Sequence, residues 1–463
     1  MKRIISLLLL AYPVLASAAP DNDKAILFDI EVNGNYSNMA LNKFLNEADL
    51  DDQDKGFVTE LVYGILERKR YLDYMINKVS KIKVRKMQHS VRLVLRMGTY
   101  QLVHLDGVAD YAAINESVNL IKKLDKRSAS FVNAVLRNIS RSLDDIKSIR
   151  LNTVDNLAIY YSYEKWIVEG LVKEYGFERT EAILSALSQK PSIYLRVNRT
   201  KLRPGQSMDD LVGKIVEDLR GQGLETSRID GIEEAIKVKG LKSIDKHPLF
   251  REGYVSVQDL SSMLVARIMD PKRESRVLDL CAAPGGKSTH IGELMENTGQ
   301  VISQDIFDHK IKLINTYARR LGLKNMEARL GDALVLNEGY IGKFDYVLCD
   351  VPCSGMGIVR RKPEIKYKKE EEVLDLPGLQ YQILENASAY LREGGQIIYS
   401  TCTIFRQENM DVVDKFLANH KDFSLDKLGS IKEFLGLGDK AIVKILPDQY
   451  EMDGFFICRM KKI

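Results

Sequence analysis

From residue 254 onward, short apolar runs alternate with amphipathic stretches, and this alternation constrains the fold more than any other feature. Four runs predict strands, at residues 276–280, 300–305, 344–350 and 396–401. Three stretches between them predict helices, at 288–296, 309–321 and 378–392. Continuous apolar strands separated by helices are typical of a parallel sheet with both faces covered. Because ligands of such sheets bind at the carboxyl ends of the strands, the residues that follow each strand are candidate site residues.

The first predicted strand runs into a turn of small residues and then into a helix. The turn consists of Cys281, Ala282, Ala283, Pro284, Gly285, Gly286 and Lys287. Small side chains let the backbone approach a ligand, and the first turn of the helix offers N–H groups without partners inside the helix. The spacing fits neither the GxxxxGKS/T pattern nor the GxGxxG pattern.

Two acidic residues follow the next strands. Asp305 lies 19 residues beyond Gly286 at the end of the second strand, where an acid holds a pair of ribose hydroxyls in nucleotide-binding folds. Asp332, in Leu330-Gly331-Asp332-Ala333, closes a third strand that precedes the run 344–350, and it is placed to contact an adenine amino group. Each acid alone is more often an ordinary loop or cap residue. Together and in this order, they predict an adenosyl-type cofactor site that does not grip a pyrophosphate.

The cysteines number five and are sparse, at positions 281, 349, 353, 402 and 458. An odd count without a close CxxC pair argues against a disulfide scaffold and against structural zinc, so no metal is expected. A lone cysteine is usually a small buried hydrophobe, which is our interpretation of the thiols of Cys281, Cys349 and Cys458. Cys353 and Cys402 instead follow the ends of two strands in one predicted cleft, and Asp350 ends the first of these strands. We therefore predict a chemical role for both thiols.

The N-terminal part differs in character. Residues 24–140 show helical periodicity, whereas 150–255 combine a helix around Trp166 with β-like runs at 193–197 and 235–238, which predicts a small α/β or linker domain. The net charge of the chain is only +4, yet residues 68–96 carry ten Lys or Arg and one acid, Asp73. A charge run is usually a solvated face, but mixed signs would then be expected. A surface of one sign on a helical domain predicts contact with a phosphate backbone.

These motifs resemble a known family. DLCAAPGGK (279–287), DVPCSG (350–355) and the STC strand end (400–402) are similar to the Nol/Nop/Sun family of RNA cytosine-5 methyltransferases. Four N-terminal segments resemble a NusB-like RNA-binding domain: YSNMALNK, ELVYGILER, NESVNL and FVNAVLRN. Three later segments also resemble the family: LRVNRT (195–200), SVQDLSS (256–262) and DGFF (453–456). The resemblance runs from about residue 24 to the end. Val351 departs from the usual Ala, and residues 1–20 do not resemble the family.

The resemblance implies a multidomain fold. An all-α NusB-like domain (21–145), a small α/β linker domain (150–255) and an α/β Rossmann-like class I methyltransferase domain (256–463) are expected. S-adenosylmethionine is the expected cofactor, held by the turn at 281–287 together with Asp305, Asp332 and Asp350. The expected partner is 16S rRNA before full subunit assembly, bound by a monomer, with no DNA and no membrane partner.

The resemblance also assigns the reactive groups. Cys402 is the expected nucleophile toward carbon 6 of cytosine, Cys353 assists product release, and Asp350 contacts the base; Lys287 has no firm role. Such an adduct makes carbon 5 nucleophilic and splits one difficult step into two. The six cations of 360–369 beside the cleft favour contact with RNA phosphates.

Two alternatives remain at this point: methylation of tRNA or another RNA by the same chemistry, and a non-catalytic rRNA-binding assembly factor. The presence of both Cys353 and Cys402 argues against the second. Residues 1–20 combine a basic start, an apolar stretch and Ala16-Ser17-Ala18, which is typical of a secretory signal, or else a non-native start. An exported enzyme would lack cofactor and nascent rRNA, and its thiols would face oxidation, so we expect the cytoplasm.

Overall fold

The computed structural model describes residues 26–31, 37–241, 244–427 and 441–463. The signal-like segment 1–20 lies outside the described residues. The chain forms two compact units: the helical unit comprises the chain up to Ser188 together with Arg361–Glu370, and the sheet unit comprises Gln189–Arg360 with Glu371–Ile463. Among the helices of these ranges, none has the length and apolar character that a membrane crossing requires.

The helical unit contains ten described α-helices. They are α1 (Ile26–Glu31), α2 (Ser37–Glu47), α3 (Asp52–Val79), α4 (His89–His104), α5 (Asp110–Leu124), α6 (Ala129–Arg141), α7 (Leu143–Lys147), α8 (Val154–Tyr160), α9 (Lys165–Tyr175) and α10 (Phe177–Ala186). Each of the longer helices buries one apolar face. On α6, for example, Val132, Val135, Leu136 and Ile139 recur at helical spacing and all lie in the core.

Helix α3 is kinked at Arg68, whose backbone leaves the helical region (φ −119, ψ 16). Two carbonyl groups beside the kink are satisfied by Arg361–Glu370, which we call the inserted segment. The Tyr367 hydroxyl donates to the Leu66 carbonyl at 2.5 Å, and the Lys366 ammonium donates to the Glu67 carbonyl at 3.1 Å. The inserted segment therefore supplies partners for backbone groups that a regular helix would pair internally.

The sheet unit begins with a small antiparallel sheet, which we call the small module (residues 189–257). Its strands are β1 (Ile193–Val197), β2 (Glu225–Arg228), β3 (Ala235–Lys239) and β4 (Val255–Val257), in the order β2-β3-β1-β4. Helix α11 (Met208–Gly221) packs its apolar face on this sheet, and the short helix α12 (Pro248–Arg251) precedes β4.

The large sheet confirms the predicted alternation. Its strands are β5 (Arg276–Asp279), β6 (Gln300–Asp305), β7 (Met326–Leu330), β8 (Phe344–Asp350), β9 (Leu391–Thr401), β10 (Phe423–Leu425), β11 (Ile442–Ile445) and β12 (Phe455–Lys462). The central order is β7-β6-β5-β8-β9-β12, parallel from β7 to β9 and antiparallel at β12. The helices are α13 (Leu260–Met269), α14 (Gly286–Leu294), α15 (Asp308–Leu321), α16 (Leu376–Tyr390) and α17 (Met410–Asn419). This is the predicted Rossmann-like sheet.

Candidate functional site

The turn between β5 and α14 is built to leave space. The Gly285 N–H donates to the Ala282 carbonyl at 2.7 Å and closes the turn. Gly285 has φ +106, a conformation that favours glycine, and a Cβ there would stand 3.4 Å from the Ile314 Cα. The turn therefore presents backbone and Cβ atoms, rather than long side chains, at the carboxyl end of β5.

The two strand-end acids lie at the ends of the neighbouring strands. Asp305 is 6% exposed, and its carboxylate accepts from the Ala283 N–H and from the Phe307 N–H, both at 3.3 Å. Lys310 pairs with the same carboxylate at 3.4 Å. Asp332 is half-buried, and its Oδ1 accepts from the Leu334 N–H at 2.9 Å. The structure thus ties Asp305 directly to the turn and places Asp332 just beyond the adjacent strand β7.

The thiols of Cys353 and Cys402 are in contact, with their Sγ atoms 3.3 Å apart. Both residues are partly buried. The hydrogen bond with Cys402, followed by burial, raises the pKa of the Cys353 thiol well above its usual value. The pKa values of the other three thiols, Cys281, Cys349 and Cys458, are also raised, but there burial is the main cause, since each thiol packs in or against the apolar core. Cys353 and Cys402 therefore form one thiol pair at the carboxyl edge of the sheet.

Asp350 lies between two donors at the same edge. Its Oδ2 accepts from the Lys287 ammonium at 2.7 Å, and its Oδ1 accepts from the Ser400 hydroxyl at 2.8 Å. Burial lowers the pKa of Lys287, but Asp350 and the neighbouring Cys402 raise it more, so the net shift is upward and the ammonium keeps its charge. Lys287, which the sequence left without a firm role, thus joins the cofactor turn to the strand end that carries Asp350.

A buried carboxylate, that of Glu408, binds the backbone of the loop that carries Cys353. Glu408 is fully buried, and it accepts from the Ser354 N–H at 2.8 Å and from the Gln380 side chain at 3.0 Å. Farther along the loop, the Gly357 N–H donates to the Cys402 carbonyl at 2.9 Å. These bonds hold the Cys353 loop against the end of β9. No sequence motif pointed to Glu408, because it lies 54 residues from the loop it fixes.

Asp279 is a second residue that motif analysis missed. It ends β5, is 1% exposed, and accepts from the Ser288 hydroxyl at 2.5 Å. Burial raises the pKa of this carboxyl to about 7, while the Ser288 hydrogen bond opposes the shift. The only sequence signal was its position at the start of the DLCAAPGGK motif.

The predicted basic surface is only partly realised. In the run 68–96, Arg96 is 5% exposed and its guanidinium makes two bonds of 2.7 Å to the Asp73 carboxylate, so it is a core residue. Five cations of the run are exposed and cluster at the end of α3 and just after it: Lys78, Lys81, Lys83, Arg85 and Lys86. We call these five the basic cluster.

For Lys366, the expected contact with RNA phosphate is wrong. This residue is 2% exposed, and its ammonium donates to the carbonyls of Glu67 and Tyr161, both at 3.1 Å. Burial lowers the pKa of Lys366 to about 8. The cationic pattern at 360–369 did not distinguish a solvated loop from a segment that packs into a helical unit.

Family models match three parts of the chain. The model described as 16S rRNA methyltransferase RsmB/F matches residues 266–461. The NusB family model matches 24–141, and a ferredoxin-like domain model of RsmF/B-like methyltransferases matches 163–245. These matches confirm the expected NusB-like region and show a ferredoxin-like domain at 163–245, which includes helices α9 and α10 and most of the small module.

Full-length relatives are also similar. A probable ribosomal RNA small subunit methyltransferase B of Bacillus subtilis is 41% identical, covering 94% of this chain and 97% of the relative. A ribosomal RNA small subunit methyltransferase B of Klebsiella pneumoniae is 31% identical, covering 89% and 91%. Among solved structures, that of the protein PH0851 has a TM-score of 0.76 at 25% identity, covering 96% of this chain and 99% of PH0851.

Proposed function

The chain belongs to the ribosomal RNA small subunit methyltransferase B family, and we propose that it methylates carbon 5 of a cytosine in 16S rRNA. The proposal takes S-adenosylmethionine as methyl donor and Cys402 as a covalent nucleophile. The observation that carries it is the thiol pair, with 3.3 Å between the Cys353 and Cys402 sulfurs, at the strand edge that also presents Asp350.

The residues present fit the expected cofactor. The small-residue turn 281–286 presents few bulky side chains beside the first N–H groups of α14. Asp305 offers its carboxylate oxygens at the end of β6, and Asp332 offers its own just beyond β7. Asp305 would hold the ribose hydroxyls and Asp332 the adenine amino group. When bound, S-adenosylmethionine supplies a methyl group on a positively charged sulfur.

Cys402 provides the covalent step. Its sulfur forms a bond to carbon 6 of the cytosine, and the electron pair of the C5–C6 double bond moves toward carbon 5 and the ring. Carbon 5, a poor nucleophile in cytosine, becomes the carbon of an enamine and can accept a methyl group. Carbon 5 then carries both the methyl group and its original hydrogen.

Asp350 and Lys287 prepare the site for this adduct. The Asp350 carboxylate contacts the ring edge and stabilises the protonated adduct through a charge-assisted hydrogen bond. Lys287 keeps the carboxylate in place through the 2.7 Å ion pair, and Ser400 fixes its other oxygen. The Lys287 charge also favours a thiolate at Cys402, since the two groups interact electrostatically.

Cys353 assists product release. A base removes the carbon 5 proton, the C5–C6 double bond reforms, and the bond between carbon 6 and Cys402 breaks to leave a thiolate. The raised pKa of Cys353 keeps its thiol protonated, so it can donate a hydrogen bond to the departing sulfur 3.3 Å away.

Contact with the RNA backbone is assigned to the basic cluster of the helical unit, whose five cations are exposed.

Nucleoside mass spectrometry tests the proposed function. Purified protein is incubated with S-adenosylmethionine and with protein-free 16S rRNA or tRNA from cells that lack the enzyme. We expect 5-methylcytidine in 16S rRNA, no product with Cys402→Ala, and product with Cys458→Ala, a matched change of a buried thiol. Product in tRNA alone would overturn the substrate, and product with Cys402→Ala would overturn the mechanism.

A further inference from the structure

Arg196, on β1 of the small module, is fully buried, and its guanidinium is saturated by acceptors from other elements. It donates to the Gly286 carbonyl at 2.8 Å and to the Thr289 hydroxyl at 3.1 Å. It also donates to both carboxylate oxygens of Glu293, at 2.8 and 3.1 Å, and to the Gln258 side chain. A buried guanidinium is tolerated only when its charge and its donors are satisfied, and here they are.

Three of these acceptors lie on one face of α14. Gly286, Thr289 and Glu293 have the spacing i, i+3 and i+7, so they follow a single stripe of the helix. Gly286 is the first residue of α14 and belongs to the turn that faces the cofactor site. The planar guanidinium therefore fixes both the axial position and the rotation of α14, including its first N–H groups and Lys287.

A second buried group of the small module contacts the same helix. Glu234, 2% exposed, pairs with the Arg267 guanidinium at 2.9 Å and contacts the His290 ring nitrogen at 3.0 Å. His290 follows Thr289 on α14, so two neighbouring residues of the helix are held by the small module. The small module is thus bonded to α14 at its start, at its middle and, through Glu293, near its end.

We propose that Arg196 is a positioning residue for the cofactor turn, through which the small module sets the affinity for S-adenosylmethionine. The inference rests on the proposed function, because that function supplies the ligand. Arg196 acts through the Gly286 carbonyl and the orientation of α14 rather than by touching the cofactor. A displacement of about 1 Å at such a position is enough to weaken binding or catalysis severely.

Calorimetric titration of S-adenosylmethionine into the full chain tests the proposal with Arg196→Lys. Lysine keeps the charge beside Glu293, but its single ammonium cannot reproduce the guanidinium fork to Gly286 and Thr289. We expect affinity to fall about tenfold or more. The matched control is Arg459→Lys, which changes another buried arginine, 8% exposed and bonded to the Ile268 carbonyl, on β12. The control should lose thermal stability without losing affinity.

Hydrogen exchange separates positioning from general destabilisation. In Arg196→Lys, the amides of 289–293, which are hydrogen-bonded within α14, should exchange faster while those of β8 and β9 remain protected. If Arg196→Lys does not fold, Thr289→Val is used instead, because it removes one acceptor of Arg196 from α14. A measurable loss of affinity for S-adenosylmethionine in this variant would support the positioning role.

Failure of the wild-type chain to bind S-adenosylmethionine would refute the cofactor of the proposed function. Binding by the wild type with equal affinity in Arg196→Lys, or in Thr289→Val where the first variant does not fold, would overturn the positioning role.

Discussion

At the scale of single residues, Asp279 shows how burial changes a carboxyl group. It lies directly before the cofactor turn, and its pKa of about 7 means that it keeps a proton at pH values where an exposed aspartate is ionised. The Ser288 hydroxyl then serves as its hydrogen-bond partner inside the sheet unit. At pH values below its pKa of about 7, Asp279 is mostly neutral, and Asp350 is then the carboxylate that faces Lys287.

Asp279→Asn should therefore change the pH dependence of stability. Between pH 4 and 7 the unfolded chain loses the proton that folded Asp279 retains, so this residue makes the free energy of unfolding fall as pH rises. The variant lacks this dependence and should gain stability relative to the wild type over that range, as scanning calorimetry can measure. Ser288→Ala removes a hydrogen bond that lowers the pKa of Asp279, so it should extend to higher pH the range over which stability falls. A difference in the free energy of unfolding between Asp279→Asn and wild type that stays constant with pH would contradict this role of Asp279.

Asp305 allows a direct test of cofactor contact. Replacing it by Asn removes the charged acceptor for the ribose hydroxyls, and bonds of that kind contribute about 1.5–3 kcal/mol. The affinity for S-adenosylmethionine, measured by calorimetry, should fall by a corresponding factor. Asp308→Asn, which changes an exposed acid paired with Lys312 on α15, is the control and should bind normally. Equal affinity in both variants would remove Asp305 from the site.

The sequence predicted that the residues directly following the strands lie at one edge of the sheet, because the carboxyl ends of parallel strands meet there whatever the rest of the chain does. It did not predict Arg196 or Glu408. Their partners lie 90 and 54 residues away, and no local periodicity encodes such a contact. The contact between Cys353 and Cys402 was foreseeable as a shared cleft, but the distance between their sulfurs depends on the loop that Glu408 fixes.

At the scale of elements, the inserted segment and helix α3 depend on each other. The kink at Arg68 exposes carbonyl groups that Lys366 and Tyr367 satisfy, and Lys69 donates its N–H to the Tyr367 hydroxyl at 3.2 Å. Trp166 adds a further bond, from its indole N–H to the Lys368 carbonyl at 2.9 Å. These contacts explain why a segment rich in cations is partly buried.

Lys366, in the inserted segment, should make the free energy of unfolding depend on pH. Its pKa falls from the usual 10.5 to about 8 on burial, so between these values the unfolded chain binds a proton that the folded chain has released. The free energy of unfolding should therefore rise with pH across this window through Lys366. Calorimetry at pH 7.5 and 9.5 should show the wild type gaining stability relative to Lys366→Met.

The control for that comparison is Lys122→Met, which removes an exposed lysine of α5. The wild type should gain stability with rising pH relative to Lys366→Met but not relative to Lys122→Met. If the wild type does not gain stability relative to Lys366→Met between pH 7.5 and 9.5, the burial of a titrating ammonium is contradicted.

At the scale of the whole molecule, the sequence predicted the helical region, the small α/β region and the Rossmann-like sheet. These follow from periodicity and from motif order. It did not predict that the chain leaves the sheet unit after Arg360, contributes Arg361–Glu370 to the helical unit and returns at Glu371. The contacts that cause this excursion join residues about 300 positions apart, such as Lys69 and Tyr367, 298 positions apart. Only the folded chain reveals them.

The central claim is that one thiol attacks the base and the other releases it. The most direct measurement is a denaturing gel of each variant incubated with 16S rRNA and S-adenosylmethionine. Cys353→Ala still permits attack but slows elimination, so a band of covalently joined protein and RNA should accumulate. Cys402→Ala and the double variant should show no such band. Accumulation in Cys402→Ala with none in Cys353→Ala would mean that the two roles are reversed, and no adduct in any variant would contradict covalent catalysis.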